Sequence, residues 1–381
     1  MILSISSFCT AIVLGNLLIV LLYIFFSLKK NIYSFSYNIL LFFSLLILSR
    51  LLIPLEFPFT VTIPISKVYP SIHMFFTQKI FYIFDYNIHI YDFLLFAWIV
   101  GAIFYTIRLL HKYYNFIFYI SGLPDNVRLS NNVKQLLVPE LIGENNYNKC
   151  KIHRCSFASS PFITGLSKPI IILPDIDFTD IELRYIFLHE LQHFKYHDIF
   201  LKLNMEIIAS LFWWNPFIHL LKRQISNLLE LRVDTAISKN WNEKQKTEYL
   251  QCLTNIYRQS FNQKHPQLAM DFSNQNSNFI LKRADSLFYH KRSLLHSVLF
   301  IIISLFLVFS SFSFVFEPYI IIPEVVQDSF SITDNSYILL DDDGAYYLFV
   351  DDQKMGTLNN SNIESFRNLK IFNKKMEEIQ K

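Results

Sequence analysis

The chain has 381 residues, 52% of them hydrophobic and only 17% charged, with a mean hydropathy of +0.30. Soluble domains carry about a quarter charged residues, so this balance argues against a wholly soluble protein and for one that meets lipid. The net charge of +3 is too small to argue for direct nucleic-acid binding, and the four cysteines (Cys9, Cys150, Cys155, Cys252) lack the paired spacing of a cysteine-type zinc site and read as reduced thiols.

Residues 8–28 are nearly continuous apolar sequence ending at Lys29-Lys30, long enough to cross a bilayer. Asn16, inside this run, is placed to bond a neighbouring helix. No basic region precedes the run and no small-residue cleavage site follows it, which favours a span over a signal peptide. A second span covers 37–53 and is closed by Pro54, with Arg50 near its end and able to snorkel. Residues 54–90 read as a loop broken by four prolines, its aromatic later part suited to a membrane surface. A third span covers 91–110 and is followed by His111 and Lys112.

Strands are expected at 151–157 and 170–173, with Ser160-Pro161, Gly165, Pro169 and Pro174 as punctuation. Thr179 and Glu182 then form a capping-box pattern that opens a helix. On that helix stands His189-Glu190-Leu191-Gln192-His193. Two histidines four residues apart share a helix face, so both imidazoles reach one divalent ion, and Glu190 sits beside it. This is the His-Glu-x-x-His pattern of zinc peptidases. Glu230 and Asp234 share a face of a later helix. Glu230 is the candidate third ligand, and Asp234 the candidate group that orients a histidine through its other ring nitrogen.

Between them, 207–221 is apolar with Trp213-Trp214-Asn215-Pro216 at its centre. Were it to cross the bilayer, Glu230 would lie opposite the histidines and the site could not form. The run is short and broken by Asn-Pro, so it is read as a helical hairpin dipping into the interface. A helix follows at 243–260, a polar segment at 262–278 and a short helix at 279–290. The fourth span is 294–316, preceded by Lys291-Arg292. The last 65 residues alternate around Asp341–Gly344 as a hairpin does, turn again at Asp351-Asp352, and end in a basic-acidic helix expected over 362–381.

Basic residues flank three of the four spans, and the positive-inside rule assigns all of them to the cytoplasm. The expected protein is therefore mainly α and polytopic. Residues 1–112 carry three transmembrane helices, 113–292 form a cytoplasmic α+β zinc peptidase domain, 293–316 hold the fourth span, and 317–381 form a small extracytoplasmic β-rich tail. Both termini lie outside a cytoplasmic membrane.

In order and spacing, Ser160–Gly165 with Lys168-Pro169 and Leu173-Pro174, the His189–His193 motif with Asp198, Trp214-Asn215-Pro216, and Glu230 with Asp234 resemble the BlaR/MecR-type membrane metallopeptidases. The resemblance covers about residues 1–316. It implies a gluzincin-type zinc endopeptidase that cleaves a cytoplasmic transcriptional repressor, a winged-helix protein, after an outside signal, and that can cut itself, here within about 261–292. Well-known members carry a penicillin-binding sensor with Ser-x-x-Lys and Lys-Thr-Gly; the tail here holds neither, so a β-lactam receptor is not expected.

The expected chemistry uses Zn2+ held by His189, His193 and Glu230, one position open for water whose pKa falls towards about 7, and Glu190 as the base. His219, Arg223 and Arg232 are the nearby donors for an oxyanion, and the sequence selects none of them. Alternatives are a membrane quality-control zinc peptidase and a non-proteolytic receptor or scaffold with a vestigial metal site. A homodimer stays open.

Overall fold

The computed structural model describes residues 4–27, 35–83, 86–122, 150–156, 158–262, 277–289, 294–319, 335–341, 344–358, 366 and 369–373. It is mainly helical, with a β-rich C-terminal region. Residues 1–318 form one compact unit and 319–381 a second.

The first unit opens with α1 (Ile5–Ser27) and α2 (Tyr37–Leu52), apolar helices that pack on each other through Leu18, Ile19, Leu22, Leu40, Ile47 and Leu51. Next come β1 (Val61–Ile65), α3 (Val68–Thr77), β2 (Lys79–Ile83) and β3 (Tyr86–His89), so the stretch expected as a loop contains regular structure. The helix α4 (Ile90–Gly122) is 33 residues, about 50 Å long, well beyond a hydrocarbon core of about 30 Å. The third span was expected to close at 110. The helix instead continues, because Phe116 and Ile120 find an apolar partner in the sheet below.

That sheet has the order β4 (Lys151–Cys155), β6 (Ile170–Pro174), β5 (Phe162–Thr164). β4 runs parallel and β5 antiparallel to β6. Gly165 turns the chain between β5 and β6 at φ +89°, and a Cβ there would strike the Lys168 carbonyl, so only glycine closes this turn without strain. Four more helices follow: α5 (Asp180–Lys195), α6 (Asp198–Leu211), α7 (Pro216–Ile237) and α8 (Glu243–Asn262). After them come α9 (Ser277–Tyr289), α10 (Leu294–Phe312) and β7 (Phe314–Pro318).

The run 207–221 is the tip of a hairpin between α6 and α7, as its Asn-Pro break suggested. The tip is held among the apolar helices. Trp98 Nε1 donates to the Leu211 carbonyl at 2.7 Å, Trp213 stacks on Tyr105, and Gly101 leaves the space that the Trp213 ring fills. Asn215 is fully buried; its amide donates to the Asn16 side chain of α1 at 3.0 Å while its own oxygen caps α7 through the Phe217 N–H. The inter-helix role expected for Asn16 is thus taken up by the hairpin.

Arg50 departs from expectation. It does not snorkel but is buried at 2% exposure, where Nε donates to the Ser311 carbonyl at 3.0 Å and the guanidinium lies over Phe312, tying α2 to the end of α10. At this end β1 pairs in parallel with β7, and the Phe316 N–H bonds Thr10 of α1. The start of α1 and the ends of α2 and α10 therefore share one side of the bundle.

Two helices, α1 and α4, are long and apolar enough to cross a membrane; α2 and residues 297–312 of α10 are apolar but shorter. In the second unit, β8 (Tyr337–Leu340) and β9 (Tyr346–Val350) form the expected hairpin. Asp351 and Asp352, both at positive φ, turn the chain into β10 (Gln353–Leu358). β11 (Lys370–Asn373) pairs in parallel with β8, which corrects the helix expected there: Ile371 and Phe372 extend the sheet instead.

Candidate active site

α5 begins as its sequence dictates. The Thr179 hydroxyl accepts from the Glu182 N–H, and the Glu182 carboxylate accepts from the Thr179 N–H at 3.0 Å. Leu183, Ile186, Phe187 and Leu191 bury one face against the sheet and α8, which fixes the rotation of the helix and the aim of its histidines.

His189, His193 and Glu230 converge. His189 Nε2 lies 3.1 Å from Glu230 Oε2, His193 Nε2 lies 3.4 Å from Glu230 Oε1, and the two Nε2 atoms are 3.2 Å apart. Tetrahedral zinc with bonds of about 2.0–2.1 Å sets its ligand atoms about 3.3 Å from one another. The two imidazole nitrogens have that spacing, and each lies at a like distance from one oxygen of the Glu230 carboxylate. The hairpin of α6 and α7 makes it possible, returning the chain to the site at Glu230, 37 positions after His193.

The other ring nitrogens are held from behind. His193 Nδ1 lies 2.7 Å from Asp198, which is 1% exposed and whose second oxygen takes Arg232. His189 Nδ1 lies 2.9 Å from the Tyr249 hydroxyl. That hydroxyl donates to Asp234 at 2.6 Å, and Asp234 is clamped by Arg283 at 2.7 and 2.8 Å. With the Nδ1 protons committed to these acceptors, both Nε2 lone pairs face the shared point beside the Glu230 carboxylate. Such a donor set repels itself unless a cation lies between, so the residues fit a divalent metal ion.

The electrostatics agree. Burial works against a charged His189, but the Asp234 and Glu230 carboxylates outweigh it and hold its pKa at about 9. Burial likewise opposes the Asp234 and Glu230 charges. Arg283 nonetheless brings Asp234 down to about 2, and His193 and Lys202 hold Glu230 well below the usual carboxylate range.

Asp234 lies 3.4 Å from His189 Nδ1, and the nearer contact is Tyr249. Glu190 is buried on α5 next to His189. Three residues of the site were not singled out in the sequence: Tyr249, Arg283 and Lys202, whose Nζ is 3.5 Å from Glu230. They come from α8, α9 and α6, and no spacing links them to the motif. Of the three candidate oxyanion donors, Arg232 is committed to Asp198 and the Tyr196 ring, and His219 contacts the Trp213 carbonyl at the hairpin tip.

A family model described as BlaR1 peptidase M56 matches residues 54–283. The chain belongs to that family. The family match takes in every residue of the site, from His189 to Arg283. The chain is 27% identical over 157 residues to regulatory protein BlaR1 of Bacillus licheniformis, a stretch covering 40% of this chain and 26% of that protein. It is 32% identical over 93 residues to the methicillin resistance mecR1 protein of Staphylococcus aureus strain Mu50, covering 24% and 16%. To BlaR1 of Staphylococcus aureus it is 24% identical over 160 residues, covering 41% and 27%. The aligned stretches span about a quarter or less of these relatives. Within the M56 family, the His-Glu-x-x-His motif with Glu230 close by matches a gluzincin-like zinc-peptidase active site.

Proposed function

We propose that this chain is a membrane-embedded zinc endopeptidase whose site faces the cytoplasm and that transduces an outside signal by cleaving a cytoplasmic repressor, and itself within about 261–292. The observation that carries the peptidase reading is the convergence of His189, His193 and Glu230, the two imidazole nitrogens 3.2 Å apart and each within 3.4 Å of a Glu230 carboxylate oxygen. The name of the BlaR1 relatives, regulatory protein, supports the signalling part. The four-span arrangement, three helices before the site and one after, is supported by the apolar helices and by the shared side of the bundle at which α1 starts and α2 and α10 end. The basic residues beside the spans then assign the site to the inner face.

His189 and His193 would hold the metal through Nε2, with Glu230 as the third protein ligand. A zinc ion there would supply Lewis acidity and bring the pKa of a water down towards about 7. Glu190, one residue beyond His189, takes the proton of the attacking water and returns it to the leaving amine. Asp198 holds His193 in the tautomer that leaves Nε2 bare. Tyr249, with Asp234 and Arg283 behind it, does the same for His189. Beside α5 lies β5, the antiparallel outer strand of its sheet, where a substrate peptide would extend the sheet by pairing its backbone.

The test is Glu190→Gln in the purified full chain. Zinc content should be unchanged and cleavage should fall by about 10²-fold or more. Undiminished cleavage in that variant would remove Glu190 from the role of base. In intact cells, a cytoplasmic protein whose cut fragment appears with the wild type and not with Glu190→Gln identifies the substrate; many unrelated fragments would favour a quality-control peptidase.

A further inference from the structure

The short helix α3 stands at the end of the bundle where α4 begins, packed on α4 and β7. Its inner side is settled by protein: Pro70 is buried, and the Tyr69 hydroxyl donates to Ser6 of α1 at 3.4 Å. Its outer side is a different surface. Val68, Ile72 and Phe75 fall at i, i+4 and i+7, on one stripe of the helix, and are 68%, 45% and 57% exposed. Ile80 and Phe81 of β2 continue the apolar surface and are exposed as well. A contiguous exposed apolar face of this kind marks a place where something binds.

Three observations choose lipid as the occupant. The first is continuity. The Phe81 ring meets that of Phe93 edge to face at 5.8 Å, and Phe93 opens the apolar flank of α4 that stays exposed as far as Leu110. The face of α3 therefore runs on into the flank of a helix long enough to cross a membrane. The second is charge. From Phe57 to Phe84 the sequence holds no carboxylate, and its two lysines, Lys67 and Lys79, stand exposed just before and just after the helix. Their long stems let an apolar face sink while each ammonium stays among lipid phosphates. The third is length. Ten residues make a helix of about 15 Å, too short for a hydrocarbon core of about 30 Å, so α3 can lie along a bilayer surface but not cross it.

We infer that α3, with the start of β2, is a membrane-surface element: the stripe of Val68, Ile72 and Phe75 is immersed in the leaflet at which α4 begins, and Lys67 and Lys79 reach its headgroups. In the four-span arrangement this is the outer leaflet. The contact rests on the chain's place in a membrane, as proposed above, and not on its peptidase chemistry.

The test uses the full chain in phosphatidylcholine nanodiscs doped with a phosphatidylcholine that carries a diazirine on its acyl chain, with the photo-adducts mapped by mass spectrometry. Adducts are expected within 68–81 as well as within 91–110. In the double variant Ile72→Ser/Phe75→Ser those within 68–81 should fall about tenfold. Those within 91–110 should persist, which shows that the variant is folded and in the bilayer. Adducts within 91–110 alone in the wild type would overturn the placement of α3 and leave the membrane reading standing; adducts in neither stretch would remove both. Indifference to the double variant would also overturn it. A second arm asks directly what covers the stripe. With p-benzoyl-phenylalanine in place of Phe75, the captured product should be lipid, and capture of the chain's own residues 320–381 or of a second copy would sink the proposal.

Discussion

The two motif histidines stand one helical turn apart, yet they are braced in opposite ways. His193 is held by Asp198, five residues on, at the first position of the next helix. His197 makes that reach possible by taking a left-handed conformation, φ +56°, between α5 and α6. His189 is held by groups from three other helices: Tyr249 from α8, Asp234 from α7 and Arg283 from α9. The first brace needs only a local turn. The second exists only when the whole unit is assembled, and it contains a fully buried carboxylate whose charge is favoured above all by Arg283 and then by His189. A site built this way ties metal competence to the folded state of the surrounding helices.

The largest effect should come from breaking the long-range brace. Arg283→Met removes the principal counter-charge of the buried Asp234 and should cost about 3–5 kcal/mol of stability, read as a drop in the unfolding midpoint of the metal-free protein. A midpoint within error of wild type would mean that the clamp does not carry the fold. Next in size are the contacts to the rings themselves. Asp198→Asn and Tyr249→Phe should each weaken zinc affinity about 10–100-fold, measured by competition with a chelator. The comparison is sharpened by stability: Tyr249→Phe, inside the long-range network, should also lower the unfolding midpoint of the metal-free protein more than Asp198→Asn does. Equal shifts would count against the distinction.

A smaller effect follows from proton linkage at His189. In the metal-free protein the folded pKa of His189, about 9, lies above its ordinary value of 6.5. Its protonated form therefore adds stability that is fully present below pH 6.5 and is lost as pH rises through about 9. Metal needs the neutral ring, so zinc affinity should rise with pH between 7 and 9, and binding at pH 7 should release a proton from His189. Calorimetry in two buffers of different ionisation heat measures that proton; its absence would contradict the assignment. The smallest expected change is Thr179→Ala, which removes the cap of α5 and should cost about 1 kcal/mol while leaving zinc stoichiometry intact.

The same contrast explains what could be read from the sequence. The His189–His193 motif, its capping box and the Glu230 face are local patterns of helical spacing, and the structure brings them together. Asp198 was visible as part of the resemblance, but its bond to His193 depends on a left-handed residue that spacing alone does not reveal. Tyr249 and Arg283 lie on helices that were anticipated, yet the rotation of one helix against another is set by packing and leaves no spacing in the chain. α4 was cut short because Arg108, His111 and Lys112 end a lipid-facing run, whereas the helix continues where Phe116 and Ile120 have protein to pack against. In the last stretch, the basic-acidic composition of 362–381 suggested a helix, and over 370–373 pairing with β8 overrode that local preference.

α7 carries Glu230 near its far end, and along its length Ile218, Leu221, Ile225 and Leu228 share one core with Leu18 and Leu22 of α1 and with Leu40 and Ile47 of α2. Asn215, at its start, is bonded to Asn16 partway along α1. The first two helices are therefore the floor on which one wall of the hydrolytic pocket is laid. A truncated fragment beginning after them would keep every residue of the pocket and lose its foundation, baring a greasy stripe to water; detergents that strip α1 away should silence the protein without touching its chemistry.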